Sequence, residues 1–489
     1  MEIDYKTILI TEEKSKALDN FSIPTLNTSG EVLMALAAQS IFSLYKESFR
    51  DYRIIVLSGN GNNGGDGLVL SYLFYHSGFK IEVYLKDGNS SKETNFHKEI
   101  AIRSSVEIHS LSKFQEFKLT DSSEKILIID AILGTGFKGT LQHELQNIIS
   151  TISNLYTSNK NIRILNIDTP SGFTGLNHKE CMPIDILCEI GIKKIRNQFA
   201  IPLCKEYSFH EIGFPILEFL KGNTITCKTL LDPSYLEIQK SLEREKNSNK
   251  YTNGAAAFVG GSKGMTGAII LSQKIFHKLG GGISCIYSPS KKIIKKVLKK
   301  NPSILIKSLK NTIKDDSFYL KSKAIVIGPG LSEDFELNES LLRKDTFFIL
   351  DAGIFNKAKK WDLNRNVLLT PHDGELKKIS GKHFDSLEEK LDFIREFCVS
   401  KNTNLLLKGY VNVLGTSDGF LFFRPSANPK LATMGTGDIL TGVLAFYLIK
   451  FQNIVKAVQY SLCFLDHSAH MKEKHPTASE IVDYLGETI

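Results

Sequence analysis

The stretch "YRIIVLSGNGNNGGDGLVLSYL", residues 52–73, decides the fold. "YRIIVLS" (52–58) is an apolar run bounded by a glycine cluster, the pattern of a strand buried on both faces. "GNGNNGGDG" (59–67) reads as a loop, and "LVLSYLFYHSG" (68–78) as the helix that follows it. The grammar then repeats. "KIEVYL" (80–85), "KILIIDAILGTG" (125–136) and "IRILNIDTPSG" (162–172) are further strands, the last two ending on glycine-bearing loops. Apolar strands alternating with helical segments predict a mostly parallel sheet covered on both faces. The glycine loops then share the carboxyl ends of the strands, where such sheets bind ligands.

Near "LLDPSYLEIQKSLEREKNSNKYTNG" (230–254) the texture changes. The section after Ser241 is polar, charged and without apolar period, so it reads as an exposed connector. The boundary falls near 225, giving one domain over 1–224 and a second over 225–489. The second half restarts with strand "AAAFVGG" (255–261), loop "SKGMTG" and a helix from Ala268. "AIVIGPG" (324–330), "FFILDAG" (347–353), "VLLTPH" (367–372) and "NLLLKG" (404–409) follow as strands. "VNVLGTSDGFLFFR" (411–424) reads as a hairpin turning at Ser417, Asp418 and Gly419. After Asp438 the chain is mainly helical. Two domains agree with the length of 489 residues.

Composition narrows the class. Hydrophobic content of 42% and charged content of 23% are ordinary for a soluble globular protein. The net charge of +8 suits anionic ligands without implying nucleic acid. The densest basic run, "KKIIKKVLKK" (291–300), places Ile293, Ile294, Val297 and Leu298 at helical spacing. It reads as an amphipathic helix with a solvated lysine face, not as a nucleic-acid or membrane surface. The longest apolar run, "GVLAFYLI", is far too short to cross a bilayer, and "MEIDYK" lacks the layout of a signal peptide. The seven cysteines form no CxxC pair, which points to a reducing, cytoplasmic compartment. No HExxH spacing supports a zinc site.

Two stretches carry chemistry. In "KLATMGTGDILTGVLAFYLI" (430–449), Gly435, Gly437 and Asp438 stand where an apolar helix begins. A helix N-terminus attracts anions, so a carboxylate there either caps the helix or takes a proton from the acceptor of a phosphoryl group. In the first half, Gly59, Gly61 and Gly64 satisfy GxGxxG, and Asp87 lies about twenty residues on, the fingerprint of an NAD-dependent dehydrogenase. Asp66 argues against that rival, because a fixed carboxylate would repel the pyrophosphate. Asp66 as a simple helix cap is the plain alternative. Asp130, before "ILGTGFKG", and Asp168 and Ser171, in "DTPSG", bring further oxygen groups to the same predicted rim.

"SGNGNNGGDGLV", "DAILGTGFKG", "NIDTPSG" and "HEIGFP" (210–215), in this order, resemble the NAD(P)H-hydrate epimerase family, the YjeF N-terminal domain, over roughly residues 1–220. The resemblance implies that Asn62, Asn63, Gly64, Gly65 and Asp66 hold a hydrated nicotinamide nucleotide. The same role falls to Gly134, Thr135, Gly136, Phe137, Lys138, Gly139 and Thr140. Asp168 would be a ligand of the nucleotide and the acid–base group of epimerisation. A potassium ion would rest on Asn63, Asp130 and Ser171. The nearest match to the family's "MENAG"-like stretch is "LMALAA" (33–38), with Ala35 and Leu36 at the acidic and amide positions.

The second half is similar to the NAD(P)H-hydrate dehydratase family through "VGGSKGMTGA" (259–268), "IGPGL" (327–331), "LTPHDGEL" (369–376), "LLLKG" (405–409) and "NPKLATMGTGD" (428–438). Together the halves look like the bifunctional NAD(P)H-hydrate repair enzymes of prokaryotes. The implied fold is α/β: two three-layer α/β/α domains, the first Rossmann-like and the second ribokinase-like. Ala268, Gly330, His372 and Asp438 would contact the hydrate. Lys408, Gly409, Tyr410, Val411, Asn412 and Gly437 would form the adenine-nucleotide site. Asn412, Thr436 and Gly353 stand where threonine, serine and a second aspartate are common. The implied substrate carries a hydroxyl on ring carbon six. Asp438 would deprotonate it as it attacks the terminal phosphoryl group of ADP or ATP, with magnesium, and loss of phosphate would restore the reduced nicotinamide. The expected partners are these small molecules, without nucleic acid or membrane, in a homo-oligomer. The alternative is a ribokinase-like small-molecule kinase whose first domain binds a ligand without catalysis.

Overall fold

The structure, a computed structural model, describes residues 4–117, 119, 121–176, 180–290, 304–309, 313–470 and 475–484. The basic run 291–300, expected as an amphipathic helix, lies outside the described residues. The chain divides into two compact units, Met1–Cys227 and Lys228–Ile489.

In the first unit the strands are β1 (Arg53–Ser58), β2 (Ile81–Leu85), β3 (Ile108–Ser110), β4 (Ile126–Ala131), β5 (Ile162–Ile167), β6 (Ile186–Ile190) and β7 (Glu206–His210). They form a seven-stranded sheet in the order β3-β2-β1-β4-β5-β6-β7. Every pairing is parallel. Successive residues of a strand face opposite sides, and the core divides accordingly. Ile54, Val56, Ile129 and Leu165 pack on one face beneath α2 (Gly30–Tyr45) and α3 (Asn62–His76), contributing to one core. Ile55, Leu57, Ile128 and Ile164 pack on the other beneath α5 (His143–Ser158), which turns Leu145, Ile148, Ile149 and Ile152 inward. Two further helices bear on the site, α1 (Glu12–Thr25) and α4 (Lys92–Arg103). Strand order reverses between β1 and β4, so the crevice for a ligand opens above their carboxyl ends.

The glycine run differs from its reading as a loop. Helix α3 starts at Asn62 with Gly61 as N-cap, so all of "NNGGDG" is helical. The glycines let the helix press onto its surroundings. A Cβ on Gly64 would lie 1.9 Å from the Gly59 carbonyl oxygen, one on Gly65 2.2 Å from Met34 Sδ, and one on Gly67 2.6 Å from Ala131 Cβ. Asp66 therefore sits more than one turn inside the helix and is not its cap.

The second unit's sheet contains β8 (Ala255–Val259), β9 (Ile283–Ser288), β10 (Leu305–Ser308), β11 (Ala324–Ile327), β12 (Phe347–Leu350), β13 (Val367–Leu369), β14 (Asn404–Leu407), β15 (Asn412–Gly415) and β16 (Leu421–Arg424). Their order is β16-β15-β14-β13-β12-β11-β8-β9-β10. Pairing is parallel from β10 to β14, and β14-β15-β16 are antiparallel. The expected hairpin is β15–β16, with Gly419 at φ +83° in its turn. Phe258, Val326, Ile349 and Leu406 of the sheet share one core with α9 (Thr436–Phe451) and α10 (Ile454–His470). Helix α6 (Thr266–Lys278), which begins two residues before Ala268, crosses α9 closely: a Cβ on Gly442 would lie 2.0 Å from the Ser272 carbonyl oxygen. Each aliphatic side chain buried in these layers stabilises the fold by about 1.5–3 kcal/mol relative to exposure. The remaining helices near the site are α7 (Asp373–Ser380) and α8 (Leu387–Ser400). No helix among the described residues is long and apolar enough to cross a membrane. None of the seven cysteines is in a disulfide.

Candidate active sites

In the first unit Asp130 lies on β4 opposite Leu57 of β1, wholly buried. Its Oδ2 accepts from the Ser171 N–H (2.8 Å) and its Oδ1 from the Ser171 hydroxyl (2.5 Å). Ser171 Oγ in turn accepts from the Leu133 N–H (2.9 Å), and Asn63 Nδ2 donates to the Leu133 carbonyl (2.9 Å). The three residues expected around a cation thus meet at one turn of backbone. Asn63 Oδ1 is buried without a hydrogen-bond partner. Burial pushes the Asp130 carboxyl up to about 6, against the hydrogen bonds from Ser171. An orphaned amide oxygen, a buried carboxylate and a hydroxyl are donors that suit a hard cation.

Above this floor opens a cavity of about 800 Å³. Asn62, Asn63 and Asp66 border it from α3, and Gly134, Thr135, Gly136, Phe137 and Lys138 from the loop after β4. Asp168 borders it from the loop after β5. Gly64 and Gly65 lie behind the lining as packing residues, and Gly139 and Thr140 are exposed outside it. The "LMALAA" segment reaches the same cavity through Leu33, Met34 and Ala37, an apolar wall.

Asp168 has φ +63°, a left-handed conformation that costs a non-glycine residue about 1–3 kcal/mol. Asn197 holds it there by donating from Nδ2 to the Asp168 carbonyl (2.7 Å). The Asp168 carboxylate accepts from the Lys194 ammonium, which also donates to the Ile190 carbonyl (2.6 Å). Lys194 is 2% exposed. Burial pulls its pKa down, but Asp168, Glu189 and Asp19 together hold it above the ordinary lysine value. Burial drives Asp66 well above the carboxylate range, with the charges of Asp168 and Asp19 adding to the effect. Asp19, on α1, is pushed up to about 6 by burial, with Lys194 opposing. Neither Asp19 nor Lys194 figures in the sequence reading.

In the second unit five segments converge. Lys408, after β14, donates from Nζ to Asp351 Oδ1 (2.9 Å), with Glu375 4.0 Å away. Asp351, after β12, also accepts from the Thr370 hydroxyl (2.8 Å). Gly437 lies beside the same ammonium, since a Cβ there would stand 3.5 Å from Lys408 Nζ. Asp438 follows in the first turn of α9. Burial, reinforced by the Asp351 charge and opposed by Lys408, pushes its carboxyl up to about 6. The N-cap is Gly435, at φ +96°, so Asp438 is not the cap. The first helical hydrogen bond runs from the Ile439 N–H to the Gly435 carbonyl (3.0 Å), which leaves the preceding N–H groups pointing out of the helix end.

Gly330, at φ +61°, adjoins Ala268: a Cβ on Gly330 would meet Ala268 Cβ at 3.2 Å and the Met265 carbonyl oxygen at 2.0 Å. A Cβ on Gly328 would lie 1.7 Å from the Asp351 carbonyl oxygen, so this loop rests on the Asp351 segment. His372 is the N-cap of α7: its Nδ1 accepts from the Gly374 N–H (3.0 Å), and Glu375 accepts from the His372 N–H (2.9 Å). Its ring is exposed, and its segment pairs with Lys408. Gly409 and Tyr410 are exposed, Asn412 is half-buried, and the Val411 side chain is buried in the interior. Asp351 and Glu375, which position Lys408, stand inside quoted stretches of the sequence but were given no role there.

The comparisons follow the two units. The family model for YjeF-related protein N-terminus matches residues 30–192, and that for NAD(P)H-hydrate dehydratase matches 256–489. A bifunctional NAD(P)H-hydrate repair enzyme of Dictyoglomus turgidum is 29% identical over 94% of this chain and 92% of its own. One from Moorella thermoacetica is 27% identical over 89% and 87%. The crystal structure of an ADP/ATP-dependent NAD(P)H-hydrate dehydratase from Bacillus subtilis, co-crystallised with ATP and Mg2+, is 27% identical over 51% of this chain and 94% of that one, with a TM-score of 0.43. Two family matches in succession, and relatives aligned along most of both chains, place this protein in the family of bifunctional NAD(P)H-hydrate repair enzymes.

Proposed function

We propose that the first unit interconverts the R and S hydrates of NADH and NADPH, and that the second removes water from the S hydrate with ADP or ATP. The observation that carries the dehydratase reading is Asp438 beside Gly437 and Lys408 at the open head of α9. The N–H groups and Lys408 receive the terminal phosphoryl group, and Asp438 takes the proton of the substrate hydroxyl that attacks it. Phosphate is a far better leaving group than hydroxide, so its loss regenerates the nicotinamide. His372, Ala268 and Gly330 flank the hydrate. Lys408 to Asn412, with Gly437, meet the adenine nucleotide. Magnesium enters with the phosphates of that nucleotide.

In the first unit the cavity takes the hydrated nucleotide, and Asp168 is the acid–base group. Asn63, Asp130 and Ser171 would hold a potassium ion, which would supply positive charge to the site. A cytoplasmic location suits seven thiols of which none is in a disulfide. The test is to incubate a mixed-epimer hydrate with the enzyme and ADP or ATP and follow the absorbance of the reduced cofactor. Conversion of both epimers supports the reading. A phosphorylated product that persists marks a kinase instead.

A further inference from the structure

The first unit gathers three carboxyls around one buried ammonium, and only one of the three is hydrogen-bonded to it. Asp168 comes from the loop after β5, Asp66 from α3 and Asp19 from α1, and all three border the same cavity as Lys194. Glu189, at the end of β6, faces the Lys194 backbone and is held by Asn197 Nδ2 (2.9 Å) and the Tyr207 hydroxyl (2.7 Å). The other charged groups on the cavity wall are Lys16, Lys86, Glu93 and Lys138. Helix α2 borders the cavity only through Gly30, Leu33, Met34 and Ala37, so it brings no titratable side chain to the site.

Resting on the epimerase reading above, we propose that Asp66 and Asp168 have opposite proton-transfer roles, acid and base, and that Lys194 is the positioning residue that fixes which is which. Lys194 is tied by its hydrogen bonds to Asp168 and Ile190. It therefore neutralises Asp168 as an ion pair and leaves Asp66 to be neutralised by a proton. Burial and the neighbouring negative charges on Asp66 act in the same direction.

The chemistry closes. The Asp66 proton passes to the hydroxyl on ring carbon six as the carbon–oxygen bond breaks and water leaves. The lone pair of the ring nitrogen forms the carbon–nitrogen double bond of an iminium. Water then adds to the opposite face of the same carbon, the electron pair returns to nitrogen, and the proton of that water goes to Asp168. The net result is inversion at one carbon. One proton has moved from Asp66 to Asp168, and solvent returns it before the next cycle.

The test uses the full chain, one purified hydrate epimer and no adenine nucleotide, with the other epimer measured by chromatography against enzyme-free buffer. Wild type should exceed buffer; if it does not, the epimerase reading itself fails and the assignment with it. Asp66→Asn should lower the enzymatic rate by about a hundredfold or more, yet melt no lower than wild type at neutral pH, because the amide is a neutral isostere. Lys194→Met should shift the acid limb of the pH–rate profile upward by about one unit or more, whereas Lys194→Arg should restore the wild-type limb. A rate for Asp66→Asn within about threefold of wild type would overturn the assignment. So would a folded Lys194→Met whose rate falls at every pH without a shift of the limb. If Lys194→Met does not fold, the Asp66→Asn rate and melt decide alone.

Discussion

The two sites are built from the same parts and arranged for different ends. Each has a lysine paired to an aspartate after a parallel strand, Lys194 with Asp168 and Lys408 with Asp351. Each has a second aspartate near the start of a glycine-bearing helix, Asp66 and Asp438, raised above the ordinary carboxylate range. The difference lies at the helix end. In α3 the glycines press the helix onto the loop after β1, onto α2 and onto the sheet, with Asp66 more than a turn down. In α9 Gly435 turns the chain just before the helix, and Asp438 lies in the first turn beside outward N–H groups. Lys194 is 2% exposed, whereas the Lys408 side chain is 20% exposed and can reach an incoming anion. The first set is thus sunk into its cavity, as the proposed proton transfers require, and the second stands at an open helix end, as the proposed phosphoryl transfer requires.

The largest expected effect that breaks this pairing is Asp438→Asn. Dehydration should fall by about a hundredfold or more while epimerisation is untouched. Nucleotide affinity, followed by calorimetry, should be nearly unchanged. If the variant dehydrates normally, the two aspartates are not counterparts. Next is Lys408→Ala, which removes a charge-assisted contact worth about 1.5–3 kcal/mol, so ADP or ATP affinity should drop by roughly tenfold to a hundredfold. Unchanged affinity would confine Lys408 to its ion pair with Asp351.

The pH dependence sharpens the comparison. Asp438 must be ionised to act as base, so dehydration should decline as pH falls through about 6. Stability runs the other way. A carboxyl raised in the native state is most favourable below its unfolded value of 3.8, and that contribution is lost as pH rises through about 6. Asp438→Asn should therefore melt higher than wild type at pH 8, in a scan without ligands, and a lower midpoint would contradict this sign. A smaller effect is expected from the cation. Replacing potassium by lithium should slow epimerisation and leave dehydration unchanged, and Asn63→Leu should abolish the difference between the two salts. Smallest is His372→Asn, which keeps a capping side chain for α7. The melting temperature should hold while the KM for hydrate rises a few-fold, if the ring also meets substrate.

Much of the architecture was legible because parallel strands buried on both faces are continuous apolar runs. Residues 53–58, 126–131 and 324–327 needed no other signal. Strands β3, β6, β7, β9 and β10 were missed: "IHS", "EYSFH" and "LIKS" are short, partly exposed edge segments, and the buried "ILCEI" and "ISCIYS" have their apolar runs interrupted by glutamate or serine. The helical state of residues 62–67 was hidden because glycine in sequence signals a loop, whereas here it signals close packing. Among site residues, the glycine loops announced themselves and the partners of Asp168 did not. Lys193 and Lys194 are adjacent and identical in type. The first reaches the Lys6 carbonyl (3.1 Å) and the second turns into the site, a choice made by pairing of the segment with Ile10. Asp351 was quoted within a strand and passed over, since one strand-end aspartate looks like another until Lys408 is placed beside it.

The left-handed backbone of Asp168 has a consequence for selection in the laboratory. Glycine would occupy that conformation without strain, but Asp168→Gly also strips the buried Lys194 ammonium of its partner, a loss of about 3–5 kcal/mol that outweighs the backbone gain. Asparagine at 438, by contrast, relieves crowded negative charge above about pH 6. A library of this protein sorted only by resistance to heat should therefore keep Asp168 and enrich variants at 438, the proposed base. Thermal robustness and turnover would have to be screened together, in alternating rounds, for the second site to survive the search.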